Sequence, residues 1–155
     1  MKITKIETIS LGSRATLIWV RIHTDEGLVG LGESWFGCAA IEADIHDRVA
    51  PALLGQDPSR IEALNRQMRP YVGFTGTSAE MRANSAVDVA LLDIQGKATG
   101  QPLYTMLGGA TRSAFTTPAQ DPTTCPSLPM SGRAISAWTA RYRSAARCST
   151  IFVAS

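Results

Sequence analysis

The stretch that most limits how this chain can fold is Ser85 to Gly109, SAVDVALLDIQGKATGQPLYTMLGG. Val87, Ala90, Leu91, Ile94 and Ala98 recur at spacings of three and four, which places them on one helical stripe. Ala83, Ala86 and Ala90 add small side chains on that side, so another helix backbone can approach closely there. Asn84, Asp88, Gln95 and Lys97 fall towards the other side. Gly100 suits a left-handed C-cap, and Pro102 cannot extend the helix. A short turn, Leu103 to Leu107, then ends in Gly108-Gly109. A helix this apolar along one side has to be covered by the rest of the domain.

The covering elements are read upstream. Lys2 to Ser10 is rich in Ile and Thr and predicts a strand, although Ile3, Ile6 and Ile9 do not alternate. Leu11-Gly12-Ser13-Arg14 is a short connection. From Leu17 to Thr24 the alternation is cleaner, with Ile18, Val20 and Ile22 on one side and Trp19, Arg21 and His23 on the other. Asp25-Glu26-Gly27 supplies a hairpin turn, and Leu28 to Glu33 returns as a third strand. From Ile41 the period changes to that of a helix carrying Ile41, Ile45, Val49 and Leu53, with a kink expected at Pro51. Asp57 or Ser59 is placed to cap the next helix, with Pro58 in its first turn and Ile61, Leu64 and Met68 on its inner side. Three antiparallel strands in a meander followed by helices is an α+β fold.

Length and charge narrow the function classes. A chain of 155 residues makes one ordinary domain but not a further eight-stranded barrel, which takes roughly 250 residues. The net charge of +2 offers no strong field for nucleic acid. No apolar run reaches the roughly 18 residues of a membrane span, and MKITKIE has no apolar signal core, so a cytoplasmic location is expected. Cys38, Cys125 and Cys148 are odd in number and far apart, which argues for reduced thiols rather than a disulfide frame or zinc site.

Candidate chemistry is sparse. Gly27-x-x-Gly30-x-Gly32 lacks the Lys-Ser/Thr of a phosphate loop and lies in a strand, so close packing over the strand is the expected role of Gly30 and Gly32. His46 is expected on an exposed helix face and His23 on a strand face. Asp88 and Asp93 are five apart and point to different sides of a helix, so they are not expected to share a metal ion. No nucleophilic triad can be assembled, and no catalytic or metal-ligating residue is assigned. Trp35 and Phe36 directly follow the third strand, where either packing under the next helix or a binding role accounts for them.

The pattern S-A-x-D-x-A-L-x-D-x-x-G-K-A-x-G-x-P-x-Y-x-x-L-G-G resembles the close of the N-terminal, or capping, domain of the enolase superfamily. The match is to the mandelate racemase and muconate lactonizing enzyme branch, in the flavour of acid-sugar, galactonate-like dehydratases. W-V-R-I-H-T-D-E-G-L-V-G-L-G-E resembles the second and third strands of the same domain. The resemblance covers residues 1–112 and implies a fold of a three-stranded antiparallel meander followed by a helical bundle. It implies that the loop after the third strand and the loop between the first two close over the substrate's distal end and tune specificity. In this sequence those loops are Trp35 and Phe36, and Gly12, Ser13 and Arg14. The family's chemistry, removal of a proton beside a carboxylate with Mg²⁺ holding the enediolate, belongs to a barrel with Asp, Glu and Glu ligands and Lys or His acid and base groups. This chain has no Lys after Lys97 and only Asp121 as a carboxylate side chain beyond the long helix, so those residues cannot be carried over.

Residues 113–155 are therefore expected to be an irregular tail in place of the barrel. Pro118, Pro122, Pro126 and Pro129 precede a run rich in Ser, Ala and Arg. Regrouping the codons of Phe115 to Cys125 so that each takes one third base and the next two bases permits Y-N-T-C-A-G-P-D-Y-V, which resembles a first barrel strand and suggests a shifted reading frame. Two functions follow as expectations. One is a capping and specificity domain of a Mg-dependent acid-sugar dehydratase or racemase, truncated before the barrel and inactive alone, with no cofactor of its own and an acid-sugar carboxylate as ligand only where a barrel is present. The other is a stand-alone interaction protein that binds a full-length relative or self-associates, without nucleic acid or membrane.

Overall fold

The computed structural model describes residues 1–11, 14–69, 78–110 and 146–152. Strands β1 (Ile3–Leu11), β2 (Arg14–Thr24) and β3 (Val29–Trp35) form the expected antiparallel meander. The sheet has a fourth member. β4 (Ala146–Phe152) pairs antiparallel with β1, giving the order β3-β2-β1-β4. Part of the expected irregular tail is thus a strand; residues 111–145 and 153–155 lie outside the described residues.

The failure of β1 to alternate has a local cause. Its register with β2 shifts between Ile3 and Lys5, so Ile3, opposite Thr24, and Ile6, opposite Ile22, both reach the core and are fully buried. An extra residue in one strand re-aims the side chains on either side of it. β2 behaves as read, with Ile18, Val20 and Ile22 buried. It also begins earlier than expected. Leu11 and Arg14 are a cross-strand pair, which leaves Gly12 and Ser13, outside the described residues, between the strands. Gly27 turns the next hairpin at φ 82°.

Helix α1 (Cys38–Asp44) runs through a π-helical turn (Ile45–Val49) into α2 (Ala50–Leu53). The irregularity expected at Pro51 lies before it: the Ala50 N–H reaches the Ile45 carbonyl, five residues back. Pro51 has no N–H to continue the ladder, and the wider turn absorbs the mismatch. It also keeps Ile41, Ile45, Val49 and Leu53 in line, all buried, where a plain helix would rotate a four-residue repeat by about 40° per step.

Helix α3 (Ile61–Met68) starts after Arg60 without a side-chain cap. Asp57 instead accepts the Ser59 N–H at 2.9 Å, closing a turn one step earlier than the expected cap and leaving Pro58 outside the helix. Helix α4 (Ala79–Thr99) buries Ala83, Ala86, Val87, Ala90, Leu91 and Ile94, ends on Gly100 at φ 67°, and is followed by α5 (Leu103–Met106). Ala98, expected on the buried stripe, is exposed.

At Ala86 and Ala90 the alanine side of α4 lies directly on strand β3. A Cβ on Gly32 would stand 1.8 Å from the Ala86 carbonyl oxygen, and one on Gly30 2.1 Å from that of Ala90. Glycine on the strand and alanine on the helix let the two backbones touch, as the packing role of Gly30 and Gly32 requires. At the opposite flank Arg48 ties three helices together. It donates to both Asp44 oxygens, at 2.8 and 2.6 Å, to the Asn84 amide oxygen at 3.0 Å, and to the Met68 carbonyl, which also accepts from Asn84 at 3.1 Å.

Candidate functional site

Strand direction decides which loops meet. β3 runs antiparallel to β2, with Trp35 opposite Leu17, and β2 starts at Arg14 opposite Leu11. The β1–β2 turn and the Trp35–Phe36 segment therefore lie at the same end of the sheet. Gly12 and Ser13 are outside the described residues, and Arg14 is the first residue of β2 rather than a loop residue.

Trp35 and Phe36 do not pack under the next helix. They are 66% and 59% exposed, with Met81, at 47%, also exposed at the start of α4. Their rings stand edge to face, centroids 6.0 Å apart. Phe36 holds a left-handed conformation, φ 64°, followed by Gly37 at φ 79°. Two bonds keep it there: its N–H donates to the Thr16 carbonyl at 2.7 Å, and its carbonyl accepts from Arg82 at 3.0 Å. The Arg82 guanidinium also lies over the Phe36 ring, 5.4 Å from its centroid, a cation–π contact. Sequence reasoning does not single out Arg82. Nothing local marks it, because the contact spans the chain from β3 to α4. This end can bind an apolar or hydroxylated surface and present a cation.

The titratable clusters lie elsewhere. On the sheet face away from the helices Glu7, almost buried, is bonded to His23 at 2.7 Å, to Lys5, and to Arg21 at 3.5 Å. His23 thus has the strand-face position expected of it. Burial works to raise the Glu7 carboxyl, but the bonds and charges of Lys5 and His23 outweigh it and hold it below the ordinary range. Facing the helices, His46 is half-buried rather than exposed as expected. Its Nε2 lies 2.7 Å from the Thr8 hydroxyl, and its Nδ1 is buried without a hydrogen-bond partner. Burial pushes this imidazole down, against the opposing pull of Glu42 and Asp47. The Cys38 thiol is buried and raised by desolvation.

Mg²⁺, the metal implied by the resemblance, finds no donor set among the described residues, where no three His, Cys, Asp or Glu side chains converge. Asp88 accepts from Asn65 at 2.6 Å towards α3. Asp93 accepts the Leu31 N–H at 2.8 Å and Lys97 at 2.7 Å towards β3. The two carboxylates are turned apart and already engaged. No helix among the described residues is long and apolar enough to cross a membrane.

Comparison with known proteins agrees with this geometry. The family model for the mandelate racemase / muconate lactonizing enzyme N-terminal domain matches residues 4–108. A D-galactonate dehydratase of Verminephrobacter eiseniae is 41% identical over 119 residues, covering 76% of this chain and 30% of the relative. A D-mannonate dehydratase of Novosphingobium aromaticivorans is 36% identical over 117 residues, covering 74% and 29%. An enolase of the mandelate racemase subgroup from Agrobacterium tumefaciens superposes with a TM-score of 0.70 at 49% identity, over 72% of this chain and 31% of that one. The chain thus spans less than a third of the length of these relatives. From the glycine–alanine seam of β3 on α4 to the Gly100 stop, residues 4–108 belong to the enolase superfamily, as the N-terminal domain of its mandelate racemase and muconate lactonizing enzyme branch, with acid-sugar dehydratases among its relatives.

Proposed function

We propose that residues 4–108 serve as the capping and specificity domain of a Mg-dependent acid-sugar dehydratase, and that the chain alone does not turn over substrate. The observation that carries this reading is the pair of exposed aromatics at the end of the sheet where β1 ends and β2 begins, with Phe36 fixed by Arg82. Large apolar side chains held in water by a specified backbone have a role outside the domain's own core. Trp35 and Phe36 offer faces on which the carbon skeleton of a sugar acid can lie. Arg82, and Arg14 by resemblance, offer hydrogen bonds to its hydroxyl or carboxylate groups. The proton-abstracting groups and the metal would come from a barrel.

The test is a purified chain incubated with Mg²⁺ and a panel of aldonates and aldarates, with formation of the 2-keto-3-deoxy product as readout. No product above the buffer blank is expected, and turnover by a homogeneous sample would overturn the reading. The same exposed end also suits a stand-alone interaction protein. A chain that forms a stoichiometric complex with a full-length relative, abolished by Trp35→Ala, would favour that second function.

A further inference from the structure

The two outer edges of the β1–β3 meander are closed by different means. On β3 two outward backbone groups are taken by side chains of α4. The Leu31 N–H donates to Asp93 at 2.8 Å, and the Val29 carbonyl accepts from Lys97 at 2.6 Å, with Asp93 and Lys97 themselves paired at 2.7 Å. A second strand cannot add there without displacing that pair, one of the ways a sheet edge is protected. The other edge, β1, is closed by backbone pairing with β4. Seven successive residues, Lys5 to Leu11, face Phe152 to Ala146 in unbroken antiparallel register.

The strand that closes β1 lies outside the family-matched domain, which ends at residue 108, and residues 111–145 separate it from α5. The domain itself therefore ends in an open edge of β-branched residues, Ile6, Thr8 and Ile9 among them, and an added segment completes it. We infer that the outer edge of β1, Lys5–Leu11, is a strand-accepting site for an extended antiparallel segment, occupied in this chain by its own residues Ala146–Phe152. Main-chain hydrogen bonds supply the attachment and alternate side chains the selectivity, as in other cases of strand addition. The tether holds the occupying segment at a high effective concentration, so the free segment competes poorly while the tethered one is intact.

Cys148 stands opposite Ile9, which allows a direct test. Directly opposed residues in antiparallel strands are near enough for a disulfide. In the full chain carrying Ile9→Cys, oxidation with glutathione disulfide should link the introduced thiol to Cys148 within one molecule, as read by peptide mass mapping. Ser10→Cys, whose position is opposite Arg147, is the control and should give little of that link. A second full-length variant, Ile9→Cys with Cys148→Ser, Ser149→Pro and Ile151→Pro, frees the edge, and the synthetic peptide ARCSTIF should then be captured at position 9. Its yield should be about tenfold above that of a chain carrying only Ile9→Cys and Cys148→Ser. Equal linking of Cys148 in the control would overturn the placement of β4. Failure of the peptide to label the freed edge, or equal labelling of both chains, would overturn the strand-accepting site.

Discussion

Replacing Gly32 with alanine should strongly destabilise this domain. The added Cβ would lie 1.8 Å from the Ala86 carbonyl oxygen and 2.8 Å from its carbon. Carbon-to-oxygen contacts settle at about 3.3–3.6 Å, so β3 and α4 would have to part by roughly 1.5 Å. The obstacle is backbone, so no rotamer change relieves it and trimming Ala86 to glycine should not rescue the variant. Parting the layers loosens Ala86, Ala90 and Ile94, all fully buried, and overpacking of this kind costs about 1–3 kcal/mol, here at the upper end. In a domain of this size 3 kcal/mol corresponds to about 12–24 °C in Tm. Gly27→Ala is the comparison: it has φ 82° but nothing within 4 Å, so only backbone strain of about 1 kcal/mol is expected. Urea unfolding followed by circular dichroism measures both. A Gly32→Ala midpoint equal to that of Gly27→Ala or of the parent would refute the close-approach argument.

Acid should destabilise the fold in two stages. His46 has a lower pKa folded than unfolded, so its contribution is complete above about pH 6.5 and declines as the pH falls towards the folded value. Glu7 is also lowered, so its contribution is complete above about pH 4.5 and is lost as the pH falls through its folded value. Urea midpoints from pH 8 to 3 should show both declines, and His46→Gln should remove the upper one; a flat profile between pH 7 and 5 would count against it. Arg48→Met leaves Asp44, Asn84 and the Met68 carbonyl without their shared donor and should cost about 2–3 kcal/mol by the same assay. A cost below about 0.5 kcal/mol, the level of an ordinary surface change, would show the junction to be incidental. The gene's nucleotide sequence, read beyond residue 112 in the frame that joins one third base to the next two, is expected to continue into a K-x-K strand and spaced Asp, Glu and Glu codons. An early stop codon in that frame would refute the frame shift.

Elements whose signal is local were legible in the sequence. The alternation of Ile18, Val20 and Ile22 gave β2, Gly27 its turn, and Gly100 with Pro102 the end of α4. The misreadings came from long-range partners and local irregularities. Ile3 and Ile6 read as out of phase because a register shift separates them, a feature that exists only once β2 is alongside. The small residues of α4 called for a close neighbour, but only the spacing of Gly30 and Gly32 on β3 identified it as a strand. His46 lies one helical turn after Glu42, and both reach the Thr8 hydroxyl of β1, a partner that exists only once the sheet is packed under this helix. Trp35 and Phe36 were legible as candidates because bulky aromatics at a strand end need an explanation. Arg82, which holds Phe36, became visible only when α4 was laid on β3.

The central claim is that this domain's exposed aromatic end selects the substrate of a barrel. It is tested most directly by fusing residues 1–110 to the part of the Verminephrobacter eiseniae D-galactonate dehydratase that lies beyond the matched segment. The readout is kcat/KM across a panel of sugar acids with and without Trp35→Ala and Phe36→Gly. Both positions are exposed, and glycine also suits the left-handed backbone at Phe36, so each change should alter stability by no more than about 0.5 kcal/mol. The account predicts an active fusion whose preference among sugar acids shifts by about tenfold, the worth of one favourable interaction that some substrates make with these rings and others do not. An active fusion whose preferences are the same with and without these two side chains would contradict it.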